Sequence, residues 1–273
     1  MSRIRGAAII LAALASMACA DQDPATAKPS ESSSGGENPA KAKSQTALID
    51  AAVKSARRDP ADRADDANRN PAAVLAFTGI EPGMTVYEME AGAGYYTEMF
   101  SVLVGPGGSV IMQNPPSFDG FLGKAVSDRL KNNRLTNVQY DKTNFDQLNV
   151  DDASADIVTW FLGPHELYFT PSDGVSLGEV EQTYTEIFRI LKPGGAFVVL
   201  DHAAAPGSGE ETGNALHRID PAIVKDLAVS AGFDFLEDSD ILRNGEDDYS
   251  KGVFDPSVRR KTDRFLIKFR KPL

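Results

Sequence analysis

The sequence holds three histidines, His165 in "GPHEL", His202 in "LDHAA" and His217 in "LHRID", each with an acid within three residues: Glu166, Asp201 and Asp220. Imidazole is the side chain whose unperturbed charge changes between about pH 5 and 8, so a histidine beside a carboxylate can take a proton from a substrate or orient one. The same residues allow two other arrangements. Asp201-His202 and His217-Arg218 can be hydrogen-bonded networks that lock loops, or the three histidines can converge with Asp201, Glu166 or Asp220 as nitrogen and oxygen ligands of a metal. No pair has the short helical spacing that marks a zinc site, so no metal is expected.

The second chemical signal is "VYEMEAGAGYYTEMF", residues 86 to 100. It reads as a strand running into a glycine turn and then a helix. A glycine-rich nucleotide loop of an α/β fold has the pattern acid-x-Gly-x-Gly-x-Gly. Here the acid is Glu88, the first glycine position holds Glu90, and Gly92 and Gly94 keep the other two. Glycine at these positions lets the backbone approach a ligand that side chains would block.

Short β-type runs alternating with helical patterns position these residues, the signature of a parallel sheet covered by helices. The strand candidates are "MTVYEM" (84–89), "SVIMQ" (109–113), "NVQYD" (137–141), "ADIVTWF" (155–161) and "AFVVLD" (196–201). Between them, Tyr96, Met99, Phe100 and Leu103 make one helical stripe, and Val180, Tyr184, Ile187, Phe188 and Leu191 another. Asp220 and Pro221 predict a capped helix start and Gly232 its end. "FDFLEDSD" (233–240) and "DRFLIKFRK" (263–271) are joined by a stretch too short for a well-formed crossover helix, so they are expected to pair antiparallel. The fold class is therefore α/β, a Rossmann-like doubly wound sheet of about seven strands closed by a hairpin.

The ends and the composition bound the setting. Arg3, Arg5 and the apolar run Gly6 to Ala15 form a targeting segment too short to span a bilayer comfortably. "SMAC" resembles a bacterial lipoprotein signal ending at Cys19, with Ser16 where a large aliphatic residue is usual. Cys19 is the one cysteine, which excludes an internal disulfide and suits a lipid carrier. Residues 20–45 have almost no large apolar side chains and predict a disordered tether, leaving 46–273 as the domain. The expectation is an exported periplasmic protein that touches membrane only through its N-terminal lipid anchor. A net charge of -11 argues against a nucleic-acid partner, whose binding rests on Lys and Arg.

The order of elements, the loop "VYEMEAGAGYYTE" and the turn "LKPGGAFVVLD" resemble class I S-adenosylmethionine-dependent methyltransferases. The blocks "LKPGGAFVVLDHAAAPGSG", "LHRIDPAIVKDLAVSAGF", "DILRN" and "KTDRFLIKFRKP" are similar to an exported bacterial group known as predicted methyltransferases, over roughly residues 57 to 272. The resemblance implies S-adenosylmethionine as cofactor, lying across the carboxyl ends of the strands. It implies that Glu88 braces the loop, that Gly92 and Gly94 approach the ligand, and that the helix starting near Tyr95 faces the methionine carboxylate. Gln113 and Asn114 fall where related enzymes place an acid for the ribose hydroxyls. Asp146 falls where it could approach the adenine, or it is a solvated loop residue. Glu90 departs from the family pattern and faces either solvent or the ligand. His165 follows the fourth strand, where acceptor contacts are placed, so His165 and His202 are the catalytic candidates, with Asp201 setting tautomers. Tyr95, Tyr96, Trp160 and Phe161 line an acceptor pocket or belong to the core. Residues 243–264 form a lid or an excursion, and 55–71 cover the site or stay solvated.

Two functions are compatible with these residues. One is methyl transfer from S-adenosylmethionine to a small-molecule or envelope acceptor, although that cofactor is made in the cytoplasm. The other is a non-catalytic module that binds a ligand or partner through an altered cofactor loop.

Overall fold

The computed structural model describes residues 39–170 and 174–273, so the targeting segment and Cys19 lie outside the described residues. The first element is α1 (Pro39–Val53), which starts within the stretch that composition assigns to the tether. Residues 39–45 are helical because Pro39 pre-sets the first turn and the Ala and Lys residues after it are good helix formers. Downstream, Ile49 and Ala52 are buried in the core, and Gln45 donates a side-chain hydrogen bond to the Ile80 carbonyl at 2.6 Å.

Two short helices, α2 (Pro60–Arg63) and α3 (Asp66–Arg69), form a strap before α4 (Pro71–Thr78). The chain then runs β1 (Thr85–Met89), α5 (Tyr95–Val104), β2 (Ser109–Gln113), α6 (Asp119–Leu122), α7 (Ala125–Arg129) and β3 (Val138–Asp141). The second half is β4 (Ala155–Phe161), α8 (Val180–Ile190), β5 (Leu191–His202), α9 (Glu211–Leu216), α10 (Pro221–Ser230), β6 (Asp234–Ser239) and β7 (Arg264–Arg270). All seven strands join one sheet in the order β3-β2-β1-β4-β5-β7-β6. β1 to β5 are parallel to one another, and β7 pairs antiparallel with both β5 and β6. The expected hairpin is thus present, and Asp220 caps α10 through the Ala222 N–H.

Alternation along the central strands sends residues to two cores, one on each face. Tyr87, Met89, Val158, Trp160, Phe197 and Phe269 bury against α8 and α10. Val86, Ile157, Val198, Leu200 and Leu266 bury on the opposite face with Met99, Phe100 and Leu103 of α5. Buried on both sides, these strands are continuous apolar runs, as a helix-covered parallel sheet requires. No helix among the described residues is long and apolar enough to cross a membrane.

Two connections differ from the sequence expectation. No helix links β3 to β4; residues 142–154 are a loop rich in Asn and Asp, and side chains stitch it. The Asp141 carboxylate accepts from the Asn149 N–H at 3.2 Å and from the Tyr87 hydroxyl at 2.6 Å, so local bonds replace a helical ladder. β5 starts at Leu191, five residues before the expected strand, and carries the Lys-Pro-Gly-Gly turn as an irregularity. The register with β4 shifts between Ala155 and Ile157, and a Cβ at Gly195 would come within 2.9 Å of the Asp156 carbonyl.

At the far end, Arg218 before α10 and Asp247 in the β6–β7 connection form a fully buried pair, 2.8 Å apart. Arg218 also donates to the Ala203 and Lys251 carbonyls, so one guanidinium ties the end of β5 to the long loop. Removing one partner of a buried pair strands the other charge, at about 3–5 kcal/mol. Arg218→Ala is therefore expected to lose about that much stability in urea unfolding, far more than removal of the exposed Lys225–Asp238 pair.

Candidate functional site

A cleft of about 530 Å³ opens at the carboxyl ends of β1 and β4, where the strand order reverses. Crevices of doubly wound sheets bind ligands at this switch point. Residues 88–93 of the glycine loop form its floor, and Tyr95 and Tyr96 of α5 one flank. His165, Glu166 and His202 stand on the other side. Asp62, Asp65 and Arg69 of the strap, Phe118, Phe121 and Leu122 around α6, and Val253 and Phe254 of the β6–β7 loop line the rest. Both segments expected to cover the site, 55–71 and 243–264, therefore reach it.

The loop is held from below by the two amides at the end of β2. Gln113 Oε1 accepts from the Glu90 N–H at 2.9 Å, and its Nε2 donates to the Thr143 carbonyl at 2.6 Å. Asn114 Oδ1 accepts from the Gly92 N–H at 2.8 Å while its Nδ2 donates to the Gly92 carbonyl at 3.0 Å. Both side chains are fully buried and do not line the cleft, so here they brace the loop instead of reaching a ribose. Gly94 adopts a φ of +87°, and Arg129 packs where its Cβ would be, donating to the Ala93 carbonyl. Asp146 lies away from the cleft and accepts from the Glu179 N–H beside α8.

Glu88 is buried, and Thr97 donates to its carboxyl at 2.5 Å. Burial, which disfavours the charged form, outweighs that bond and the nearby Arg129 charge and pushes the carboxyl up to about 8. Glu90 takes the left-handed conformation, φ +50°, that the pattern's glycine would adopt without strain. Its carboxylate turns back under the loop and accepts from the Trp160 indole N–H at 3.1 Å. Burial and the neighbouring Glu166 charge raise its pKa well above the carboxylate range. Trp160 itself is core, whereas Tyr95, Tyr96 and Phe161 face the cleft.

Asp201 organises the histidines. It is wholly buried and accepts from the backbone N–H groups of His165 (2.9 Å) and His202 (2.7 Å), while the His165 ring Nδ1 lies 2.8 Å from Oδ1. The carboxylate therefore sets the tautomer of His165, not of His202. Burial alone would lower His165, but the charges and hydrogen bonds of Asp201 and Glu166 carry it up to about 10. Against its own burial, the neighbouring imidazoles of His165 and His217 draw Glu166 down to about 2. His202 is pushed the other way, well below its ordinary value, by burial and the His165 charge, and its Nδ1 lies 2.6 Å from Thr262 Oγ1. Of the two arrangements open to His217, a network with Arg218 or convergence with a carboxylate, the structure shows the second: its Nδ1 stands over Glu166, 3.4 Å from Oε1.

The strap closes the flank through Tyr95. Arg58 is buried and makes a two-pronged bond to Asp66 at 2.8 and 2.6 Å; Asp66 accepts from the Tyr95 hydroxyl at 2.6 Å, and Arg69 stacks 4.5 Å from that ring. No single residue type announced this arrangement in the sequence, because Arg58, Asp66 and Arg69, which hold Tyr95, lie in a stretch of alternating charge.

This sheet order, with a glycine loop at its switch point and a cleft above it, defines a class I methyltransferase fold. The sequence model of the ubiE/COQ5 methyltransferase family matches residues 69–206, half of the chain, and the chain belongs to that family. S-adenosylmethionine is its cofactor. Solved structures agree on the fold. A SAM-dependent methyltransferase from Aquifex aeolicus is 20% identical with a TM-score of 0.55, covering 78% of this chain and 98% of that one. The methyltransferase in complex with the Trm112 activator of Haloferax volcanii is 19% identical with a TM-score of 0.52, covering 78% and 96%. Phosphoethanolamine N-methyltransferase 2 of Haemonchus contortus, in complex with S-adenosyl-L-methionine, is 12% identical with a TM-score of 0.55, covering 83% and 60%. No curated protein matches the sequence.

The raised Glu88 carboxyl gives a pH dependence with a definite sign. In the folded chain it holds its proton to about 8, whereas unfolded it ionises near 4.5, so the native state binds more protons between these values. Stability from this group is full below about 4.5 and falls as pH rises to about 8, at about 1.4 kcal/mol per pH unit. Glu88→Gln, which keeps the shape without the ionisation, is expected to flatten that fall in melting temperatures measured from pH 5 to 9.

Proposed function

We propose that this protein transfers a methyl group from S-adenosylmethionine to a small-molecule acceptor seated above Glu90, between His165 and His202. The observation that carries the reading is the glycine loop, fixed in shape by Gln113 and Asn114 at the switch point, with paired histidines across the same cleft. The residues fit the cofactor. Nothing lies within 4 Å of where a Gly92 Cβ would project, so the backbone is open to a ligand there. The first N–H groups of α5 lack intrahelical partners and favour a carboxylate. Acids at Asp62 and Asp65 line the cleft where the β2 amides do not. The cofactor supplies an electrophilic methyl on a sulfonium.

The chain's own work is alignment and proton management. Walls from the strap, α6 and the β6–β7 loop hold acceptor and sulfonium together, which converts a bimolecular encounter into an oriented one. His202 is neutral at pH 7, and in the tautomer that donates Nδ1–H to Thr262 its Nε2 is left to accept the acceptor's proton. The acceptor is at least partly apolar. Phe121 is 86% exposed at one lip of the cleft and Phe254 is 64% exposed at the other, rings that water alone does not favour at an entrance. The basic start, the apolar run and Cys19 support an exported, lipid-anchored protein that acts in the cell envelope.

Calorimetric titration of the purified chain with S-adenosylmethionine and S-adenosylhomocysteine tests the reading. Micromolar binding is expected, weakened at least tenfold in Gly92→Val, whose branched side chain would enter the open space at a φ of +57°. Absence of heat and of any thermal shift at millimolar ligand would overturn the enzyme. If Glu90→Gly then restored binding, the natural loop would be a lost site.

A further inference from the structure

His165 and Glu166 line the cleft opposite the glycine loop, and with His217 they form a group whose geometry has a second use. His165 and Glu166 are adjacent in a 3-10 turn, Pro164–Tyr168, that follows β4. His217 caps α9 in a left-handed conformation, φ +52°, which points its ring at the same turn. His165 Nε2 lies 3.3 Å from Glu166 Oε1, His217 Nδ1 lies 3.4 Å from the same oxygen, and all three ligand atoms fall within 4.8 Å of one another.

These separations are too long for charge-assisted N–H···O bonds, which settle at about 2.7–2.9 Å. The two nitrogen–oxygen separations match two edges of a tetrahedron about a zinc ion, where bonds of about 2.0–2.1 Å place neighbouring ligand atoms about 3.3–3.4 Å apart, and the third edge, between the nitrogens, lies within 4.8 Å. We propose that His165 Nε2, Glu166 Oε1 and His217 Nδ1 bind one divalent transition-metal ion, zinc by the nature of the donors, with the fourth position open to the cleft.

Three further observations support the assignment. Asp201, wholly buried, holds His165 Nδ1 at 2.8 Å, the carboxylate–histidine pairing that fixes the ring and leaves Nε2 for a metal. His217 Nδ1 is buried and has no hydrogen-bond partner, an orphan that an ion would satisfy. Phe169 and Phe254 flank the His217 ring at 4.7 and 5.0 Å and hold its orientation. Two imidazoles and one carboxylate form a donor set used for zinc with an open site, and that set selects against magnesium and calcium, which take oxygen ligands. An acceptor oxygen or sulfur entering the cleft could then take the fourth position, although the metal site stands whether or not methyl transfer occurs.

The test uses the full untagged chain, stripped with chelator and titrated with cobalt(II) and then zinc. One cobalt ion per chain with the intense visible absorption of tetrahedral cobalt is expected, bleached by one equivalent of zinc. Asp201→Asn should weaken zinc binding by about ten- to a hundredfold without removing a ligand. His217→Ala and Glu166→Gln should each abolish the tetrahedral spectrum, and circular dichroism reports which of them folds. No tetrahedral spectrum and no heat with millimolar zinc in the wild-type chain would overturn the proposal. So would wild-type binding in a folded ligand variant, because the ion would then sit elsewhere. None of these readouts depends on S-adenosylmethionine, so the site can fail while the methyltransferase reading stands, and the reverse.

Discussion

A single buried carboxylate at the end of β5 sets the acceptor side of this protein. Asp201 has no water to solvate it and is satisfied by two backbone N–H groups and one imidazole. A wholly buried carboxyl group in that position is tolerated only while all three donors stay in place. The 3-10 turn after β4, the start of the chain after β5 and the ring of His165 are therefore locked to each other, and Glu166 and His217 take their places from that lock. The cofactor side has its own clamp in Gln113 and Asn114, neutral groups that do the same with weaker bonds.

Some of the chain's left-handed backbone falls at the site these two clamps frame. Glu90, Leu162 and His217 all have positive φ, at +50°, +63° and +52°, and the cleft or the proposed metal group includes each of them. Such conformations cost of order 1–3 kcal/mol each and persist only when the surroundings over-determine them. Leu162 is held by a bond from its N–H to the Leu200 carbonyl, Glu90 by Gln113 and Trp160, and His217 by its N–H to the Gly213 carbonyl. The two-faced core beneath, with its fully buried aromatic rings, offsets that cost.

Much of the fold was legible because hydrophobic period is a local property. The runs 109–113 and 155–161 are strands over those same residues, and the terminal hairpin followed from the shortness of its connection. The α1 start at Pro39 was hidden because its first turns carry no apolar stripe and gain their support from packing further along. In the site, residue type and place were legible but direction was not. Gln113 and Asn114 stand where a ribose contact is expected, yet whether an amide faces a ligand or its own loop depends on side-chain torsions that sequence does not encode. Asp146 turned to α8 for the same reason. The partnership of His217 with Glu166 crosses fifty-one positions, and only the contact of α9 with the turn after β4 brings it about.

The departure at Glu90 reaches further than the loop. A Cβ at Gly163 would lie 2.0 Å from the Trp160 indole nitrogen and 2.1 Å from the Glu90 carboxylate, so the acid has a place to go only because position 163 has no side chain. The two positions, far apart in sequence, therefore form one steric unit. While the acid and the tryptophan are kept, 163 is closed to every residue but glycine, and a glycine at position 90 would release part of that restriction.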